Sequence, residues 1–213
     1  MTTPRTDGRA QVLAQIRQSL GRSGPAPAPI TPLPGSGPCP GFEGDVVERF
    51  VAKMLEKSAT LERLGSLAEV GAAVARFIAA VPAPPRVRVS GALAGIDWPP
   101  GLQVLHGAAR REDHTSVTPC FAAVAESGGI VTLSGPDTPS TLNFVPDNHL
   151  VVVRASQVLP HFEDLWARLR ASGRPMPRTV NIISGPSRTA DIEQTIQLGA
   201  HGPRRLHILL ITD

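Results

Sequence analysis

The stretch best equipped for chemistry is Ser184-Gly-Pro-Ser-Arg188, followed by Thr189. It joins two hydroxyls, a guanidinium and the exposed backbone N–H groups of a Gly-Pro turn. The turn follows the apolar run Val180 to Ile183. It precedes a segment, Thr189 to Leu198, in which Ile192 and Ile196 recur at helical spacing and Gly199 reads as a left-handed helix end. A helix N-terminus carries roughly half a positive charge, so this turn is expected to hold a small anion through Ser184, Gly185, Ser187, Arg188 and Thr189. Arg188 is the principal candidate, because a guanidinium grips a carboxylate or phosphate through two parallel hydrogen bonds. The plainer alternative is that Ser187 or Thr189 caps the helix and Arg188 pairs with a neighbouring carboxylate. The loop is neither a Walker sequence nor a GxGxxG.

Three further residues are candidates for proton transfer or nucleophilic attack. Glu126 stands in the Gly-rich turn Glu126-Ser-Gly-Gly129, with room for another molecule beside it. His149 opens an apolar strand, and His201 lies in Gly199-Ala-His-Gly-Pro203; either is a possible general acid or base near neutral pH. Each has a structural alternative: Glu126 as a solvated or paired helix-end group, the histidines as turn-fixing hydrogen bonders. Asp191 and Glu193 are two apart and point to different helix faces, which makes them poor partners for each other.

Composition removes several classes. At 213 residues the chain is long enough for one domain with a large core. The net charge of +3 is carried mostly by scattered arginines, without the stripe of a nucleic-acid footprint, and the absence of tyrosine leaves few stacking platforms. Cys39 and Cys120 are far apart in unlike settings, and no histidines stand at metal-ligand spacing, so no metal or iron–sulfur cluster is expected in this chain. No apolar leader or membrane-length run is present, and a cytoplasmic location is expected.

The elements that must position these residues can be read in order. Residues 1–20 are expected to hold an amphipathic helix with Val12, Leu13, Ile16 and Leu20 on one side. Residues 21–41, with seven prolines and five glycines, read as a linker. Residues 42–213 then form an α/β domain. Helices are expected over Asp45 to Lys57, after the capping box Ser66-Leu-Ala-Glu69, over Phe121 to Ala125 behind Thr118-Pro119, and from Pro160 to Ala171. Strands are expected at Val87–Val89, Leu102–Leu105, Ile130–Leu133, His149–Val153, Val180–Ile183 and Leu206–Ile211. Right-handed crossovers would place the strands beginning at His149, Val180 and Leu206 in one sheet, with ligand-bearing loops at their carboxyl ends.

Ala125-Glu-Ser-Gly-Gly-Ile-Val131, Val145 to Val153, Ile183 to Glu193 and Gly199-Ala-His-Gly-Pro203 together resemble the LutC type of lactate utilization protein, the LUD domain family. The likeness is firm over residues 115–213. It implies an open, largely parallel sheet flanked by helices, similar to the NagB/RpiA/CoA-transferase-like superfamily. It also implies a component of a bacterial system that oxidises L-lactate to pyruvate, in which LutA-like and LutB-like partner subunits carry the iron–sulfur clusters. Lactate, pyruvate, CoA or a nucleotide would fit the Arg188 turn. Two alternatives stay open: a free-standing enzyme acting on a CoA ester, sugar phosphate or nucleotide, with Glu126 as nucleophile by analogy with CoA transferases, or a non-catalytic scaffold.

Overall fold

Leu150–Val153 and Leu206–Ile211 are nearly continuous apolar runs, the pattern of strands covered on both faces. In a computed structural model, which describes residues 8–21, 24, 39, 41, 43–190, 196–199 and 201–212, both lie at the centre of a sheet. The chain divides into two units, residues 1–37 and 38–213. The first holds α1 (Gly8–Ser19). Most of the expected linker, and Asp191 and Glu193, lie outside the described residues.

The second unit begins with α2 (Val46–Glu56), β1 (Thr60–Leu64), α3 (Val70–Ala80), β2 (Arg86–Val89), β3 (Gln103–His106) and β4 (Thr115–Pro119). It continues through β5 (Ala122–Val124), β6 (Gly129–Leu133), α4 (Thr141–Phe144), β7 (Asn148–Arg154), β8 (Val158–Leu159) and α5 (Phe162–Ala171). It closes with β9 (Val180–Ile183), β10 (Arg188–Ala190), β11 (Ile196–Leu198) and β12 (Arg205–Ile211).

The main sheet has the order β1-β12-β7-β4-β2-β3, with every pairing parallel. Alternate residues of its central strands feed two cores. Leu150, Val152, Leu209 and Ile211 pack with Val70, Val74 and Ile78 of α3. Val151, Val153, Ile208 and Leu210 face the other way, onto Phe50, Val51 and Met54 of α2 and onto Ala123 and Ile130. Asp45 caps α2, its Oδ1 accepting from the N–H groups of Val47 at 2.8 Å and Glu48 at 2.9 Å. Complete burial of Phe50 and Met54 contributes about 1.5–3 kcal/mol each before entropy.

A second sheet, β8-β5-β6-β9, lies beside the first and makes a third small core with Leu165 of α5. It corrects two expectations. Residues 121–125 are not a helix: Pro119 ends β4, Cys120 N–H still reaches Val152 O at 2.9 Å, and Phe121 N–H reaches Val131 O at 2.8 Å. The run of small residues that suggested a slim helix lets two sheets approach closely instead, with Ala122 to Ala125 fully buried. The strand at Val180 is also not in the main sheet. It pairs antiparallel with β6, Ile130 opposite Ile183.

Two local readings change as well. Ser66 makes no capping bond to the backbone; its hydroxyl lies 3.4 Å from Glu69 Oε1, and a short 3-10 turn precedes α3. Residues 188–190 and 196–198 are not helical but form the antiparallel pair β10–β11, Arg188 opposite Leu198. Thr189, Ile192, Thr195 and Ile196 are β-branched, and Ile196-Gln-Leu198 alternates as a strand does. β1, in contrast, has no expectation to match: Thr60-Leu-Glu-Arg-Leu64 is too charged and too short to stand out, and joins the sheet only through β12.

Candidate functional site

The backbone of Ser184 to Arg188 is fixed from two sides. Gly185 adopts φ +97°, and a Cβ on it would lie 2.9 Å from the Lys57 carbonyl oxygen at the end of α2, so both conformation and space call for glycine. Lys57 Nζ donates to Ser184 Oγ at 2.6 Å and also to the Ser127 carbonyl. The Ser184 hydroxyl donates in turn toward the carbonyls of Ser127 and Gly128, at 3.0 and 3.1 Å. On the other side, Ser187 N–H reaches Pro203 O at 2.9 Å and Gly199 N–H reaches Ser187 O at 2.9 Å. These bonds join the Ser184 and His201 turns into one rim.

The rim encloses a cleft of about 250 Å³. Its walls include Asn143 and Phe144 of α4, Ile182 and Ile183 of β9, and Leu206 of β12; His149 of β7 is also in the lining. His201 and Gly202 stand beside the turn. Five expected site residues therefore come together: Ser184, Gly185, Ser187, His149 and His201. The cleft sits at the amino ends of β7 and β12, where His149 is opposite Leu206, and not at their carboxyl ends as expected. The cause is β9, which pairs with β6 in the second sheet and delivers its following turn to the opposite end.

The other expected residues are placed elsewhere. With strand in place of helix at residues 188–190, no helix among the described residues starts at the turn, and Arg188 does not line the cleft; its Nη2 donates to Ser58 Oγ. Thr189 lies in β10, and its side chain is outside the described residues. Glu126 is not in the cleft either. It stands in the β5–β6 connection, where Oε2 bonds His161 Nδ1 at 2.8 Å and Oε1 accepts from Phe162 N–H at 3.1 Å. It serves the start of α5.

His149 is completely buried, and burial pushes its pKa down to about 3. At neutral pH it is a neutral hydrogen-bonding imidazole. Its Nε2 lies 2.8 Å from Thr118 Oγ1 on β4. A second hollow, about 240 Å³, is lined by Pro82, Asp147, Asn148, Arg204 and Arg205. Its charges answer one another, Asp147 lying 3.6 Å from Arg204 and 3.0 Å from His114. Sequence reasoning missed Asn143, Phe144 and Thr118: α4 is too short for periodicity, and a threonine inside a strand gives no signal beyond β propensity.

The segment carrying this cleft, residues 114–211, matches the family model of the LUD domain. Over this stretch the chain is similar to the LUD domain family. Protein YkgG of Escherichia coli is 40% identical over 93 residues, 42% of this chain and 40% of that one. A lactate utilization protein C of an Exiguobacterium species is 36% identical over 100 residues, covering 46% of this chain and 44% of the relative. The protein of the same name from Bacillus subtilis is 32% identical over 93 residues. The matched stretch thus spans about two fifths of the length of the relatives. A crystal structure of a DUF162 family protein from Deinococcus radiodurans superposes with a TM-score of 0.58 at 26% identity, over 78% of this chain and 96% of that one. The likeness therefore reaches beyond the LUD domain match into the N-terminal part of the second unit. Among the described residues no helix is long and apolar enough to cross a membrane.

Proposed function

We propose that this chain is a LutC-like component of an L-lactate utilization system, acting with LutA-like and LutB-like iron–sulfur subunits that carry electrons as lactate becomes pyruvate. Its own part is to hold a small anionic ligand, lactate or pyruvate, in the cleft. The observation that supports this is the convergence of the Ser184–Ser187 turn, His149 and His201 on one cleft, within the segment that matches the LUD domain model, in a chain similar to relatives called lactate utilization protein C. The ligand's carboxylate lies at the rim against the turn, with Arg188 one residue beyond supplying positive field. The alternative of a free-standing CoA-ester enzyme has no such support. Glu126, the nucleophile it needs, already uses both carboxylate oxygens on His161 and Phe162.

The test is thermal unfolding of the purified chain with L-lactate, pyruvate, CoA, acetyl-CoA and nucleotides. A ligand at a hundred times its Kd adds about 2.7 kcal/mol, roughly 5–10 °C in Tm for a domain of this size. Lactate or pyruvate should give that rise, and Arg188→Ala should weaken it several-fold without abolishing it. A rise with CoA or a nucleotide alone would defeat the reading. So would the absence of any rise together with failure to co-purify iron–sulfur subunits.

A further inference from the structure

Among the described residues lining the cleft, Nδ1 of His149 is the buried polar atom that has no hydrogen-bond partner. An imidazole nitrogen shut away from water and left unpaired is costly, and native interiors seldom keep one without a reason. His149 is fully buried and on the cleft wall, so the atom that would pair with Nδ1 is supplied from the cleft.

Thr118 decides what kind of atom that is. Its side chain is 3% exposed, and among the described residues the partner of its hydroxyl is His149 Nε2. If Nε2 held the proton, the threonine hydrogen would be stranded and the Nδ1 lone pair would be unmet as well. If the hydroxyl donates to Nε2, the threonine hydrogen and the Nε2 lone pair satisfy each other and the imidazole proton sits on Nδ1. The second arrangement leaves one group unmet rather than two. Nδ1–H is therefore a donor, and it calls for an oxygen acceptor.

The lining fixes the charge of that oxygen. Among the described residues no lysine or arginine lines the cleft, and beside His149 the walls include Phe144, Ile183 and Leu206. A full negative charge beside His149 would be desolvated among apolar walls, away from Lys57 and Arg188 at the rim. The volume, about 250 Å³, equals roughly eight waters at about 30 Å³ each, enough for a molecule of a few carbons.

Building on the reading that the cleft holds a ligand, we infer that its inner end is a subsite for an uncharged ketone or alcohol oxygen of a small acid, which accepts from Nδ1–H of His149, while Thr118 fixes that tautomer. His149 is then the group that reads the carbon next to the carboxylate. The carboxylate itself stays at the rim.

Long-range ¹H–¹⁵N spectra of the full chain, labelled in the histidine rings, test this directly. The expected result is a neutral His149 protonated on Nδ1. Pyruvate, L-lactate and uncharged hydroxyacetone should each move the Nδ1–H signal and leave Nε2 in place, whereas acetate should not. Thr118→Val should mix the tautomers and weaken binding roughly tenfold, the usual scale for losing one buried hydrogen bond, while Thr118→Ser should keep both properties. A proton found on Nε2, a Nδ1 signal unmoved by all three probes, or acetate acting as well as pyruvate would each overturn the inference. If hydroxyacetone moves Nδ1 and neither lactate nor pyruvate does, the subsite stands and the lactate reading falls.

Discussion

Lys57 Nζ lies 2.6 Å from Ser184 Oγ, and this one contact binds the end of α2 to the rim of the cleft. Just beyond it, Gly185 passes so close to the Lys57 carbonyl that no side chain fits. Gly185→Ala should therefore lose about 1–3 kcal/mol, the range for a strained left-handed backbone, and should lower ligand affinity with it. Urea unfolding beside a binding titration checks both effects. Stability unchanged within error would mean that the turn accommodates a Cβ and that Lys57 does not set its shape.

Glu126→Gln separates a helix-start group from a catalytic one. The variant keeps a carbonyl acceptor for Phe162 N–H but weakens the bond to His161. We expect about 1 kcal/mol lower stability and unchanged affinity for any cleft ligand. A loss of binding or turnover with no change in unfolding would return Glu126 to the site.

Asp113 joins three arginines' worth of donors at the edge of the main sheet. Burial pulls its pKa upward, but the Arg88 guanidinium at 2.9 Å, the Arg110 N–H at 2.8 Å and nearby Arg86 together hold it below the usual carboxylate value. The carboxylate is 1% exposed and the Arg88 side chain 11%. Asp113→Asn should cost about 3–5 kcal/mol, because it strands a largely buried guanidinium. Chemical denaturation of the variant measures this.

Stability should also fall in mild acid. His149 has its pKa pushed down to about 3 from the usual 6.5, and His207, buried against Phe77, is lowered as well. Below pH 6.5 the unfolded chain takes up protons that the folded chain refuses, so the stabilisation present above that pH is lost as the pH drops. Each such histidine adds up to about 1.4 kcal/mol per pH unit. Urea midpoints measured from pH 7.5 to 4.5 should decline steadily. A flat profile would show that both rings protonate in the folded state.

Much of this arrangement can be read in the order of residues. The strands at His149 and Leu206 announce themselves by branched apolar runs that only a doubly covered parallel sheet needs, and the turn residues Ser184 to Ser187 and His201 stand out by type. What periodicity cannot decide is partnership. Val180 to Ile183 looks like any inner strand, and nothing local says that β6 will claim it. Thr189 to Leu198 offers two isoleucines at helical spacing, yet its threonines and isoleucines are also strand formers, and residues 188–190 pair antiparallel with residues 196–198, with Gly199 N–H bonded to Ser187 O. Arg188 shows the same limit at the level of one side chain: its chemistry is evident, but the fold directs it to Ser58.

The position of β12 has a consequence for how the domain comes into being. Last of the strands in chain order, it is second in the sheet, with parallel partners on both flanks: residues 60–64 on one side and residues 148–154 on the other. A chain growing from its amino terminus can assemble β4, β7 and the smaller sheet, but it must leave a slot open beside β7 and keep β1 waiting. Contacts so distant in sequence make closure slow. Until residues 205–211 arrive, the slot presents the unpaired edge of a long apolar strand, the surface on which another growing chain could dock. The insertion that completes the core is thus also the moment at which the molecule ceases to be adhesive.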